Sequence, residues 1–395
     1  MPIGLTFIGT SDYQKVIYKY KDKQYETNLF PKALEHFFKL DKLLVVATKA
    51  AAEKHSEVCD CQTQVEIISI PEGRNEKELW EVFEKIYQNI PSEADLIIDV
   101  THSFRSLPII ALSILQYLKT LKNVNIIDIV YGAYEARDSN SNIAPVFNLT
   151  PFMNIIDWSY SINDFVHHGN AAFLKNILDR IHKRTYSDKT GWQSRNLAGL
   201  GRALSHLSDS LSITRIKESL EYAKKLKLKI ADVKEDITHQ PEAKPLEPLL
   251  ENIVSRFEEI SIEPSDLFKD NGFYAQIKMI EYYLRNHQYM QAITLSREII
   301  ISKLCVLLKK DPIKQREIIE NILNEKNDSH RNDEFINYNF EINEFRKVWA
   351  RVKEIRNDIN HAGMRKSVAR TSKAITSITE NCNETIKIIK KYEKI

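Results

Sequence analysis

Glycine and proline are both scarce in this sequence, 10 and 12 among 395 residues. A collagen-like repeat, a disordered scaffold and a loop-rich sandwich are therefore disfavoured. Cysteine occurs only at positions 59, 61, 305 and 382, which makes no disulfide framework and points to a reducing compartment. Cys59-Asp60-Cys61 is tighter than a C-x-x-C metal knuckle and no second Cys or His pair follows nearby, so ordinary thiols and no metal ligands are expected. Long apolar runs are missing. The greasiest stretch, 107–118, is interrupted by Ser113 and Gln116 and falls short of the ~18–20 residues of a membrane span. No basic n-region precedes Met1-Pro2-Ile3-Gly4-Leu5, so the expectation is a soluble, cytoplasmic protein with no signal peptide and no membrane partner. An excess of charge of either sign is lacking too: 56 Lys and Arg against 54 Asp and Glu leave +2. That balance argues against a protein that coats polyanions, while a local basic groove stays compatible with it.

What is present is an ordinary globular mix, 43% hydrophobic and 28% charged, in a length that suits about two to three domains. Up to Pro151 two periodicities alternate. Short β-branched runs at 3–8, 42–48, 64–70, 95–100 and 124–131 are mostly apolar on both faces, as strands covered on two sides require. Helical patterns lie between them at 31–40, 49–55, 76–90 and 104–120. This alternation predicts an α/β fold with a doubly wound parallel sheet, a short strand at 144–149 closing its edge. After Pro151 the strand-like runs vanish. Helices are expected at 171–182, 196–207, 213–230 and 246–260, with the proline-bearing stretch 235–248 as a connector. Ile262-Glu263-Pro264-Ser265 marks a second break, followed by helices at 272–286, 288–308, 313–324, 343–361 and 372–391. The expected division is 1–152, 153–264 and 265–395, the last two all-α.

In an open parallel sheet, ligands bind beyond the carboxyl ends of the strands where the strand order reverses. The first strand ends in Gly9-Thr10-Ser11-Asp12, which can turn backbone N–H groups and hydroxyls toward a phosphate or ribose. Such residues also serve plain turn and cap geometry. The fourth strand runs into Asp99-Val100-Thr101-His102-Ser103-Phe104-Arg105-Ser106, six polar or charged residues of eight at the mouth of a buried strand. A helix cap explains Thr101 or Ser103 but leaves an acid, an imidazole and a guanidinium converging without a reason. Arg105 in a first helical turn also runs against the macrodipole, and a bound anion offsets that. No G-x-G-x-x-G, no G-x-x-x-x-G-K-[ST] and no G-x-S-x-G is present, which disfavours a dinucleotide cofactor, a P-loop hydrolase and a serine hydrolase elbow.

Asp99-Val100-Thr101-His102-Ser103-Phe104-Arg105 resembles the D-x-T-H-[GS]-x-R motif of CRISPR-associated Rossmann-fold (CARF) proteins, with Ser103 where Gly is commoner. Phe7-Ile8-Gly9-Thr10 and Tyr131-Gly132-Ala133-Tyr134-Glu135 resemble the same family. The resemblance implies a ligand site built from Gly9, Thr10, Ser11, Asp12, Asp99, Thr101, His102, Ser103, Arg105, Tyr131 and Gly132. It also implies pairing as a homodimer and binding of a cyclic oligoadenylate, the second messenger of type III CRISPR defence, as allosteric activator.

The stretch 342–361 carries an apolar stripe at Ile342, Phe345, Val348/Trp349, Val352, Ile355 and Ile359, an inward-facing helix. At its end stands Arg356-Asn357-Asp358-Ile359-Asn360-His361, before Gly363 as a helix stop. Arg and His at a helix C-terminus can simply complement the dipole. Here the string resembles the R-N-x-x-x-H signature of HEPN ribonucleases, and Tyr289-Met290-Gln291-Ala292-Ile293-Thr294-Leu295-Ser296-Arg297-Glu298 resembles an early helix of that fold. CARF followed by HEPN is the architecture of CRISPR accessory ribonucleases. It implies cleavage of single-stranded RNA with Arg356, His361 and Asn357 as catalytic residues, no cofactor and no metal. The residue types suit that chemistry: RNA carries its own 2′-OH nucleophile, an imidazole moves protons, and a guanidinium holds phosphate oxygens. Two other readings stand beside it: a nucleotide-sensing module whose helical half only docks a partner, and a ring nuclease that degrades its own activator near Thr10, Ser11 or Thr101.

Overall fold

The structure, a computed structural model, describes residues 2–102, 107–187, 192–324, 342–364 and 368–392. Its N-terminal unit, Met1–Ile156, holds in chain order β1 (Ile3–Ile8), β2 (Val16–Tyr20), β3 (Lys23–Thr27), α1 (Phe30–Phe37), β4 (Lys42–Thr48), α2 (Lys49–Lys54), β5 (Gln64–Ile70), α3 (Glu76–Asn89), β6 (Asp95–Asp99), α4 (Leu107–Leu121), β7 (Asn125–Gly132) and β8 (Ile143–Asn148). Runs that are apolar on both faces fold as interior strands. Leu5, Phe7, Leu44, Val46, Leu96 and Ile98 face one core, which Val82 and Ile86 of α3 and Ile114 and Leu118 of α4 complete. The alternate residues Ile8, Leu43, Val45, Ala47 and Ile97 face a second core with Phe30 and Leu34 of α1 and Ala51 of α2. Side-chain alternation of period two thus fills both sides of one sheet.

The strand order is β3-β2-β8-β7-β6-β1-β4-β5. Strands β5, β4, β1, β6 and β7 are parallel, the doubly wound core expected from the sequence. The remaining three make the sheet mixed: β8 is antiparallel to β7, β2 parallel to β8, and β3 antiparallel to β2. One expectation is corrected. The stretch 144–149 does not close the edge, because β8 lies between β7 and β2. The hairpin β2–β3 carries no turn signal in the sequence, because Lys21-Asp22 replaces the usual Asn-Gly or Asp-Gly turn, with Lys21 taking φ +54°. Its inner face is nonetheless regular, with Val16, Tyr18 and Tyr20 buried, and exposed Lys23, Gln24 and Glu26 make a polar outer edge.

Helix α5 (Thr150–His168) carries the chain into the second unit, Asp157–Ile395. That unit consists of α6 (Ala172–Ser187), α7 (Leu197–Ser212), α8 (Ile216–His239), α9 (Glu247–Phe257), α10 (Asp270–Arg285), α11 (Tyr289–Leu307), α12 (Arg316–Asn324), α13 (Ile342–Asn360) and α14 (Thr371–Lys391). One continuous apolar core runs through it, from Trp158 to Ile389. The expected connector 235–248 shrinks, since α8 continues to His239 and only a 3-10 turn, Pro241–Leu246, precedes α9. Its prolines sit where a helix tolerates them, in the turn and in the first turn of α9.

A buried acid organises this unit. Asp236, 1% exposed, accepts the backbone N–H groups of Arg195 (3.1 Å), Asn196 (2.7 Å) and Leu197 (3.0 Å). One carboxylate from α8 therefore satisfies the free donors at the start of α7, a charge-assisted cap supplied from a distant helix. Asp236→Ala strands those donors in the interior, and the expected loss is about 2–4 kcal/mol of unfolding free energy. Urea denaturation of the full chain, followed by far-UV circular dichroism, measures it; a loss under about 0.5 kcal/mol contradicts this role.

Candidate functional site

The strand order reverses between β1 and β6. From β1 the chain steps outward to β4 and β5, then returns to β6 on the other side and continues to β7. The register Leu5↔Ile98 brings the carboxyl ends of β1 and β6 together, so residues 9–12 and 99–102 leave the sheet side by side. This is the crevice where an open α/β sheet takes its ligands.

Asp99 sits at the root of that crevice and is fully buried. The Thr6 hydroxyl donates to its Oδ2 (2.5 Å) and the Thr101 N–H to its Oδ1 (2.7 Å). Thr101 Oγ1 in turn accepts the Gly132 N–H (2.8 Å) at the end of β7. One hydrogen-bonded chain therefore ties the ends of β1, β6 and β7. Burial pushes the Asp99 carboxyl up to about 6, while the bonds from Thr101 and Thr6 pull it back. Gly132 is required there, because a Cβ would lie 2.6 Å from the Tyr18 ring and 2.7 Å from that of Phe30.

His102 faces inward as well. Its Nε2 accepts the N–H of Phe30 (3.2 Å), the first residue of α1, whose N-cap Leu29 offers no side-chain acceptor. The imidazole thus caps α1 from another segment and is held neutral. Burial and then the neighbouring His55 push its pKa down to about 3. Asp99 shapes the crevice from within the fold, while His102 is half-buried and turns a ring face to Tyr13.

The other expected residues differ in exposure. Thr10, Ser11 and Asp12 are exposed, Gly9 is buried, and Tyr131 is half-buried with its hydroxyl donating to Glu135 (2.9 Å). Ser103 and Arg105 lie outside the described residues. The loop is pinned by side chains the sequence did not mark. Lys54 Nζ donates to the Thr10 carbonyl (2.8 Å) and pairs with Asp12 (2.6 Å), and His55 Nε2 meets the Ser11 carbonyl (3.0 Å). Tyr13 closes the loop over the crevice: its hydroxyl oxygen accepts the Gly9 N–H (2.8 Å) and its ring stacks on His102, centroids 3.7 Å apart. Tyr13 stands one position past the segment read from the strand end, and an aromatic so close to a strand terminus was the available signal.

In the helical unit, α13 buries Phe345, Val348, Trp349 and Val352, with Ile355 and Ile359 packed at the margin. Its polar end carries Arg356 and His361. With the Asn360 amide set to satisfy both groups, its oxygen accepts from Arg356 Nε (3.0 Å) and Nη1 (3.1 Å). Asn357 Oδ1 lies 3.4 Å from Nη1. The helix then stops abruptly. The Gly363 N–H bonds the Asp358 carbonyl (3.4 Å) and the Ala362 N–H that of Ile359 (2.9 Å), a Schellman pattern. The expected stop at Gly363 is thereby placed one residue earlier: Ala362 takes the left-handed position (φ +52°), at a cost of roughly 1 kcal/mol, and Gly363 follows it (φ +70°). His361 is the C-cap residue and is exposed. Among the described residues no His, Cys, Asp or Glu cluster is placed to hold a metal ion, and no helix is long and apolar enough to cross a membrane.

A Rossmann-like sheet, with a polar crevice at its reversal point and an all-helical remainder, defines an α/β ligand-binding fold joined to a helical module. Comparison with known proteins makes this specific. Residues 3–136 match the family model described as CRISPR system endoribonuclease Csx1, CARF domain, and residues 154–265 match that of CRISPR-associated protein MJ1674, second domain. CRISPR-associated protein MJ1674 of Methanocaldococcus jannaschii is 24% identical over 304 residues, 74% of this chain. The chain spans 42% of that relative's length. Residues 3–136 are thus a CARF domain, as the motif at Asp99 implied, in a chain similar to a CRISPR-associated protein. Residues beyond 265 lie outside both family matches.

Two titrating groups of the crevice, Asp99 and His102, oppose each other in acid. The folded Asp99 holds its proton to about 6, above the ~3.9 of an unfolded carboxyl, so its contribution falls as pH rises from ~4 to ~6. The folded His102 stays neutral to about 3, below the ~6.5 of an unfolded imidazole, so its contribution falls as pH drops from ~6.5. Asp99→Asn removes only the first. Its stability should decline on acidification between about pH 6 and 4 more steeply than the parent's, by roughly 1.4 kcal/mol per pH unit. Parallel curves in urea titrations across that range contradict the assignment.

Proposed function

We propose that this protein is a single-strand endoribonuclease of type III CRISPR defence, switched on by a cyclic oligoadenylate and independent of metal. The observation that carries the reading is the presence, in one chain, of a CARF-family crevice and of Arg356 and His361 at a capped helix end. CARF domains bind cyclic oligoadenylates. The hydroxyls and N–H groups of 9–12, with Thr101, the His102 ring, Ser103, Arg105, Tyr131 and Gly132, are assigned to that ligand, and Asp99 to the positioning of the turn.

At the helical end the substrate supplies its own nucleophile. The RNA 2′-oxygen attacks the adjacent phosphorus, the bond to the 5′-oxygen breaks, and the products carry a 2′,3′-cyclic phosphate and a 5′-hydroxyl. The 2′-OH proton needs an acceptor and the leaving oxygen a donor, and His361 serves in proton transfer. Arg356 stabilises the charge of the phosphorane. Its guanidinium, braced by Asn360 and Asn357, keeps a fixed orientation, which supports the role given to Asn357 as an orienting residue.

Five residues at about 100° each set Arg356 and His361 roughly 140° apart around a regular helix. A groove built from two chains brings the arginine of one and the histidine of another to a single phosphate. A homodimer also suits a cyclic ligand, since a two-fold pair presents the same donors to both halves of the ring. Activation then requires that the ring bind the active arrangement more tightly than the resting one.

His361→Ala and Arg356→Ala should each lower activated RNA cleavage by about 10²-fold or more and leave activator binding intact. Mixing the two inactive chains should restore part of the activity if the groove is shared. The products should end in 2′,3′-cyclic phosphate and EDTA should leave the rate unchanged. Full activity in either single variant, or loss of turnover in EDTA, contradicts the mechanism. Consumption of the cyclic oligoadenylate without RNA cleavage favours a ring nuclease.

A further inference from the structure

The backbone N–H of Gly9, just past β1, is the kind of donor that takes a phosphate or ribose oxygen. It is occupied by the protein's own Tyr13, whose phenolic oxygen accepts it at 2.8 Å. The Tyr13 ring lies on the His102 imidazole at 3.7 Å and 29°, with the His55 ring 4.8 Å away on its flank. His102 cannot turn aside, because its Nε2 is engaged by the Phe30 N–H. It therefore offers a fixed, uncharged aromatic face. The loop bearing Tyr13 is anchored at its backbone by Lys54 and His55, through the Thr10 and Ser11 carbonyls. The Tyr13 side chain is half-buried and packs against the margin of the second hydrophobic core.

These contacts, a planar ring on an aromatic face and an oxygen on a backbone N–H, are what a nucleoside makes in a protein site. We propose that Tyr13 is an internal stand-in for one nucleotide of the ligand: it fills the Gly9–His102 subsite at rest and must leave when a base stacks on His102. The ligand's affinity is accordingly set by a competition, with the phenolic oxygen and an oxygen of the ligand contending for one donor. This rests on the reading of the crevice as an adenine-nucleotide site and adds the element that regulates its occupancy.

The alternative is that Tyr13 is a staple that keeps the loop folded for the ligand. The two roles give opposite signs. Tyr13→Phe keeps the ring and removes the oxygen that blocks Gly9. A competitor so weakened should bind cyclic oligoadenylate about 5-fold more tightly, the yield of one hydrogen bond, and Tyr13→Ala should tighten binding further. Calorimetric titration of the full chain and both variants with a panel of cyclic oligoadenylates measures this. Amide exchange over residues 5–15 in the absence of ligand reports whether the loop stays in place. Binding by the phenylalanine variant that is unchanged or weaker than the parent's, with the loop still protected, overturns the competition while leaving the adenylate site standing. If neither parent nor variant binds any member of the panel, both readings fall.

Discussion

The Asp99 carboxylate is buried between strands, and Thr6 and Thr101 hold it there with two short hydrogen bonds. A lone buried charge is costly, so each donor is a condition of the fold as well as a contact. Because Thr6 belongs to β1, Thr101 follows β6 and Gly132 ends β7, the same few bonds set the relative height of three strand ends. The crevice exists because the strand order reverses there, but its floor is level because these bonds fix it. His102 extends the arrangement to α1 by capping the helix at Phe30. Asp99 therefore works from inside the fold, while the half-buried His102 ring meets the neighbouring loop at Tyr13.

A comparable economy appears at the end of α13. Arg356 is braced by amides from its own helix, and the chain turns away within two residues through Ala362 and Gly363. That sharp stop leaves His361 at the last position of the helix, beyond the apolar stripe that fixes the rest. A rigid arginine and an exposed histidine on one terminus suit a site that a second chain completes.

Much of this was legible in the residues. The five parallel strands announced themselves through runs apolar on both faces, and α13 through its stripe at Phe345, Val348, Trp349 and Val352. The crevice followed from topology, since the residues after β1 and β6 must meet where the order reverses. What escaped was nonlocal. Lys54 and His55 reach residues 44 positions away, and Tyr13 matters through a ring and an oxygen on neighbours that only folding supplies. A strand-end motif names the residues at a crevice, while burial decides which of them face inward. The hairpin β2–β3 was hidden by a Lys21-Asp22 turn of unusual composition.

In the proposed mechanism, occupancy of the β1–β6 crevice controls chemistry at the end of α13. The rate of single-stranded RNA cleavage by the intact chain, across a concentration series of each cyclic oligoadenylate, tests it directly. The account predicts a negligible rate without ligand and a saturable rise with one ring size, whose midpoint shifts to higher concentration when Thr101→Val cuts the bond to Gly132. Cleavage that is indifferent to every ring, or a midpoint that Thr101→Val leaves in place, would contradict it.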